Sequence, residues 1–140
     1  MKKSINFITL LILASLIFSS CEFEVTTAKV VDIKTCIYLN GDLCEHENPI
    51  FSPNDPQIYV SCKLKNAPEN TLVTFVWSYV EGNPVIIDKV TLNSSDYGID
   101  VDLNSRLSQP NSGWPIGSYE VVIKIGDNDS SPQIKPFEVR

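Results

Sequence analysis

Between Gln57 and Lys65 apolar and polar side chains alternate without a break: Ile58, Val60, Cys62 and Leu64 fall on one side, Tyr59, Ser61, Lys63 and Lys65 on the other. A period of two is the spacing of a strand with one covered face, because successive Cβ atoms point to opposite sides of a pleated chain. A helix would scatter the same four apolar residues around its circumference. The pattern recurs along the chain. Within 28–39, Val31, Ile33, Thr35, Ile37 and Leu39 alternate with Asp32, Lys34, Cys36 and Tyr38, and within 71–80 Val73, Phe75, Trp77 and Tyr79 share a face. Further strands are expected at 85–92, at 99–103 with Asp100 and Asp102 turned outward, at 119–125 and at 134–139.

Turn chemistry separates these segments: Asn40-Gly41, a stretch rich in Asn, Pro and Asp at 45–56, Asn66 to Asn70, and Gly82-Asn83-Pro84. Nine prolines and six glycines punctuate the chain, and no long stretch keeps a 3.6-residue apolar period. About seven or eight short strands at such spacing predict an all-β domain of two packed sheets, a β-sandwich.

Three landmarks resemble an immunoglobulin-like sandwich: Cys62 facing the core, Trp77 on the following strand, and Tyr119 at the start of a late one. Pro115-Ile116-Gly117-Ser118-Tyr119-Glu120-Val121 looks like a tyrosine corner, in which the phenol bonds nearby backbone and the residue two places on points inward. In antibody domains that residue is the second cysteine. Here it is Val121, so the resemblance moves toward bacterial immunoglobulin-like and fibronectin-III-like modules that lack the inter-sheet bridge. It covers Ala28 to Val139, implies Cys62, Trp77, Tyr119 and Val121 as structural core, and implies no activity.

The first twenty residues read as a secretory signal: Lys2 and Lys3, an apolar run from Ile5 to Phe18, then Ser19 and Ser20. The run is about 14 residues, short of the roughly 20 that a spanning helix needs. Phe18-Ser19-Ser20-Cys21 resembles the lipobox of bacterial lipoproteins, with Phe18 where Leu is usual. That resemblance implies cleavage before Cys21 and acylation of its thiol; cleavage elsewhere, for example after Ala28, would discard Cys21 instead. The expected organisation is signal peptide 1–20, lipidated tether 21–27 and domain 28–140. A small lipoprotein with one such module, held on the cell envelope facing the periplasm or exterior, is the form this implies.

Two of the 11 basic residues would leave with the signal, so nine would face 17 acidic ones, a charge of −8. Nucleic acid and anionic lipid are disfavoured as main partners, because both would repel such a surface.

Three thiols remain besides Cys21, an odd number for an oxidising compartment. A three-residue loop Leu39-Asn40-Gly41, with Gly41 at positive φ, would set Cys36 opposite Cys44 and allow a disulfide. A two-residue Asn-Gly loop would pair Ile37 with Cys44 instead. Cys44–Cys62 is the rival bridge, although Cys62 alternates onto the apolar face, where a thiol acts as a small hydrophobe.

Chemistry is sparse. Cys36, Cys44 and His46 could chelate a metal, but there is one histidine and the disulfide competes. No serine sits in a nucleophile motif, and Asp100 and Asp102 read as the wet face of a strand rather than a glycosidase pair. Asp127 and Asp129 lie in a polar turn lacking the remaining oxygens of a calcium loop. No metal and no cofactor are expected. Trp114, in Gln109-Pro110-Asn111-Ser112-Gly113-Trp114-Pro115, could stack on a sugar or anchor a protein, or could plug the end of the sandwich. The expectation is a non-catalytic, membrane-anchored domain that binds an envelope protein or glycan. The alternatives are an accessory subunit of an envelope complex and an inhibitor or exclusion lipoprotein acting on an incoming protein.

Overall fold

In the computed structural model, which describes residues 27–96, 100–127 and 131–140, the alternating segments become strands. Cys21, the signal segment, Ile99 and Asp129 lie outside the described residues. Among those described there are eight strands: β1 Lys29–Cys36, β2 Ile50–Phe51, β3 Gln57–Lys65, β4 Leu72–Tyr79, β5 Val85–Asn93, β6 Val101–Ser108, β7 Gly117–Ile125 and β8 Gln133–Val139. A single 3-10 turn at Ser94–Asp96 leads from β5 toward β6. The described residues are therefore all-β.

The strands form two sheets, one ordered β1-β3-β6 and the other β2-β8-β7-β4-β5. Pairing is antiparallel throughout except for β2, which runs parallel to β8. The apolar face of β3, from Ile58 through Leu64, is fully covered at those four positions. Beside it stand Val101, Leu103 and Leu107 of β6, and the second sheet contributes Val73, Phe75 and Trp77 of β4 with Tyr119, Val121 and Ile123 of β7 to the same core. Phe137 sits at its middle, edge-on to Phe51 and Trp77 and stacked on Tyr119. The Trp77 indole N–H donates to Ser105 Oγ at 3.0 Å, joining the two sheets and satisfying both buried polar atoms.

Four local departures from simple alternation have physical causes. First, β1 carries a bulge between Val31 and Lys34, with Asp32 at φ +54°. Asp tolerates that conformation, and the extra residue reverses the phase, so Val30 and Ile33, not Val31 and Ile33, pack on the core. Second, the polar face of β3 is not all wet: Ser61 is buried, because the chain returning through Cys44 lies over it and the Cys44 N–H donates to Ser61 Oγ at 2.8 Å. Third, β6 begins at Val101 and runs to Ser108, well past the expected end at Leu103. Fourth, Ile50–Phe51 makes a short strand inside the Pro-rich stretch.

The hairpin after β1 also differs. Asn40 pairs with Leu43 across a tight turn at Gly41 and Asp42, so a two-residue loop at 41–42 replaces the three-residue loop expected at 39–41. Cys36 and Cys44 are nevertheless bridged, with Cα atoms 5.7 Å apart. The bend of the chain between Cys36 and Asn40 brings the sulfurs together without the direct cross-strand register that seemed necessary. Opening this bridge is expected to cost about 2–3 kcal/mol in the chain-entropy model, given so short a loop. Urea unfolding of Cys36→Ser should show that loss, with hydrogen exchange at the Cys44 amide accelerated more than in β3 and its neighbouring strands.

Candidate functional site

The register fixes two poles. At one, β1 begins, β3 ends at Lys65, β5 ends and β6 begins, and the turn at 66–71 is tied by Asn66 N–H to Asp100 Oδ1 at 2.9 Å and Ser94 N–H to Thr71 O at 2.8 Å. The described chain begins at this near pole, at Thr27. The far pole is built from segments 37–56, 80–84 and 109–116.

Segment 109–116 locks the far pole across both sheets. Trp114 N–H donates to Pro53 O at 3.1 Å and its indole N–H to Asp55 O at 2.6 Å. The Tyr119 hydroxyl donates to Pro115 O at 2.6 Å, and the Tyr79 hydroxyl to Ile116 O at 3.0 Å. Trp114 is only 5% exposed, so the reading in which its free face stacks on a sugar gives way to the one in which it plugs the sandwich end. Segment 37–48 is held as firmly. Besides the disulfide, Glu47 accepts the Thr35 hydroxyl at 3.0 Å and pairs with Lys135 at 2.9 Å.

On this fastened scaffold the far pole displays apolar side chains to solvent. Tyr38 is 63% exposed, Ile116 66%, Val85 57% and Ile86 66%, and Ile50 and Ile87 are exposed as well. Ile134, near the start of β8, is the one exposed large apolar residue described that lies elsewhere. The signal in the sequence was the run Val85-Ile86-Ile87, which breaks alternation and therefore cannot be covered on one face only. It was read simply as a strand. Tyr79, Val85, Ile87, Pro110, Trp114 and Pro115 line an apolar cleft of ≈ 310 Å³ between the start of β5 and the Trp114 loop.

The remaining candidate residues do not assemble chemistry. The sulfurs of Cys36 and Cys44 are joined to each other, which removes them as metal ligands beside His46. Among the described residues no three His, Cys, Asp or Glu side chains converge as a metal site. Asp100 caps the turn at Asn66, and Asp102 is exposed on β6. Val121, at the place an immunoglobulin cysteine would take, is fully buried opposite Trp77 of β4.

Cys62 is a free, buried thiol. Burial, and after it the Asp102 carboxylate, push its pKa up to about 12. Burial and then Tyr79 push the Tyr119 phenol the same way, also to about 12. The folded pKa values exceed those of the unfolded chain, so the fold favours both protonated forms. That stability is full below about pH 8.5, the thiol's unfolded pKa, and is lost as pH climbs toward 12. Urea midpoints should therefore fall between pH 9 and 11, and Cys62→Ala should flatten the lower part of that decline.

No protein-family model matches the chain, and no curated protein matches it in sequence. In structure it is similar to part of an alkylpurine DNA glycosylase from Pseudomonas fluorescens bound to DNA containing an abasic site analog (TM-score 0.49, 13% identity, 81% of this chain and 30% of that one). It is similar also to part of a β-glucosidase from Erythrobacter marinus (0.48, 12%, 82% and 16%). A third likeness is to a Niemann-Pick type C2 protein from Japanese carpenter ant (0.49, 16%, 81% and 92%). The chain thus spans less than a third of either enzyme, and no activity is carried over from any of the three.

Proposed function

We propose that this is a non-catalytic, immunoglobulin-like domain of fibronectin-III-like strand order that binds a protein through its far pole while its N-terminus is held at a membrane. The observation that carries the reading is the set of exposed apolar side chains at the pole opposite the one where the described chain begins. Large apolar side chains left exposed on a folded domain mark contact sites where they gather, and those of Tyr38 and Ile116 sit on loops stapled by a disulfide, two tyrosine hydroxyls and an indole. Binding by a fixed surface loses little loop entropy. Strand order β1-β3-β6 against β2-β8-β7-β4-β5, with Trp77 and Val121 facing each other and Tyr119 bonded to Pro115, supports the immunoglobulin-like assignment.

A protein partner fits better than a glycan, because Trp114 is buried and its N–H already engaged. The lipid on Cys21 remains part of the proposal on the strength of the lipobox resemblance, and would turn the far pole away from the membrane.

Photo-crosslinking in cells tests both halves. A crosslinking amino acid at Tyr38 or Ile116 should give a discrete protein adduct, and the same residue at Lys65 or Ser95 on the near pole should not. Adducts confined to the near pole, or none from either, would reject the binding surface. Fatty-acid label retained by Cys21→Ala would reject the anchor.

A further inference from the structure

We propose that the partner docks by laying an extended segment along the open edge of β5, with apolar side chains entering the Trp114 cleft and a cationic side chain meeting Asp88 and Glu81. This rests on the far-pole reading and names its chemistry. The strand β5 is the last of its sheet, paired only with β4, so its other side has no strand partner; the Lys89 N–H is taken up locally, donating to Asp88 Oδ1 at 2.8 Å. Such an edge takes an added strand through backbone hydrogen bonds, while alternate side chains decide which sequence is accepted.

The pairing with β4 tells which residues would do the deciding. Trp77 opposes Asp88 and Tyr79 opposes Val85, and Ile87 is an extra residue between Asp88 and Ile86. Val85, Ile87 and Asp88 therefore lie on the side of the cleft, whereas Ile86 and Lys89 lie on the outer face of the sheet, opposite Ser78 and Val76. The cleft itself offers only apolar surface, because the hydroxyls of Tyr79 and Tyr119 and the Trp114 N–H all point to backbone carbonyls. Among the described residues Asp88 and Glu81 have no ion-pair partner, and Glu81 stands at the turn leading into β5. On the cleft side the edge thus reads apolar, apolar, anionic. Its complement, run antiparallel, is a segment with two apolar side chains at alternate positions and, two places before them, a long cationic side chain that reaches back over the bulge at Ile87 to Asp88.

The probe is the peptide acetyl-Thr-Lys-Thr-Val-Thr-Val-Thr-amide, added to the full chain in a neutral detergent and followed by amide chemical shifts. The expected result is saturable shifts across 85–91 and at the Trp114 indole N–H. A peptide with Glu for Lys, and another with Ser for both Val, should each bind at least about tenfold more weakly. In the protein, Ile87→Lys should abolish the shifts and Asp88→Lys should reverse the preference between the Lys and Glu peptides, with unfolding temperatures unchanged at these exposed positions.

Equal binding of all three peptides, shifts away from β5, or no shifts would overturn the proposal. So would concentration-dependent dimers of the free chain that Ile86→Lys dissolves, since the edge would then belong to a second copy. If crosslinks from Tyr38 and Ile116 persist in any of these cases, the far-pole reading stands and only the strand-addition chemistry has failed.

Discussion

Replacing Trp77 by Ala is expected to leave the domain largely unfolded at 37 °C, or to lower its melting temperature by tens of degrees. Trp77 is fully buried and contacts Phe137 edge-on at 6.0 Å between ring centroids. Removing a core tryptophan costs about 3–5 kcal/mol in transfer and cavity contributions. A second loss follows, because the Ser105 hydroxyl would be left buried without the indole N–H it accepts. Against the 5–15 kcal/mol typical of a whole domain, the sum removes a large share of the stability. Trp77→Phe separates the contributions: it keeps much of the volume, loses the hydrogen bond, and should fall well short of the alanine effect. Circular dichroism melts of the pair decide it; a drop of only a few degrees in Trp77→Ala would mean that Phe137 and Leu103 collapse into the space.

The second large effect is expected at a residue with no side chain. Gly117 opens β7 at φ +145°, a conformation that L side chains rarely adopt, and a Cβ built there would lie 2.8 Å from the Tyr79 hydroxyl oxygen. Backbone strain of this kind costs about 1–3 kcal/mol, and forcing an atom into a filled space adds a similar amount. Tyr79 cannot retreat cheaply, since its hydroxyl holds Ile116 O and its ring stacks edge-on against Tyr119 at 4.9 Å. Gly117→Ala should therefore destabilise by about 2–4 kcal/mol. Gly41 gives the contrast: it also has positive φ, at +67°, but a Cβ there meets nothing within 4 Å. Gly41→Ala should lose only the conformational contribution, and urea unfolding of the two variants side by side measures the difference.

How much of this was legible beforehand depends on how local the determining contacts are. The β3 face and the clustering of Val73, Phe75 and Trp77 follow from alternation alone, because side-chain direction in a strand is set by the immediate backbone. The extension of β6 through Asn104 to Ser108 was not readable: Ser105 and its polar neighbours look like a loop until Trp77, from the other sheet, supplies a partner. The bulge at Asp32 is equally silent, since one residue of left-handed backbone reverses the phase of every residue beyond it. Trp114 was undecidable for the same reason, as the carbonyl that receives its N–H is 59 residues away. The far-pole surface depended on knowing which loops share a pole, although the unbroken Val85-Ile86-Ile87 was its visible trace. The Cys36–Cys44 bridge was reached through a loop geometry that the chain does not adopt, which shows that an eight-residue separation leaves several ways to close it.

The sealed thiol of Cys62 has a consequence for the life of the folded chain. While the two sheets stay together it is buried and stays protonated near neutral pH, and the Cys36–Cys44 bridge is safe from it. Once the sheets part, the thiol regains an ordinary pKa near 8.5, and attack on either sulfur of the Cys36–Cys44 bridge becomes possible. Three sulfurs allow three pairings, two of which tie Cys62 into a knot that β3 cannot re-enter as a core strand. Each excursion to the unfolded state above neutral pH therefore risks becoming permanent. Survival of the domain is then governed by how seldom it opens and not by the depth of its free-energy minimum alone.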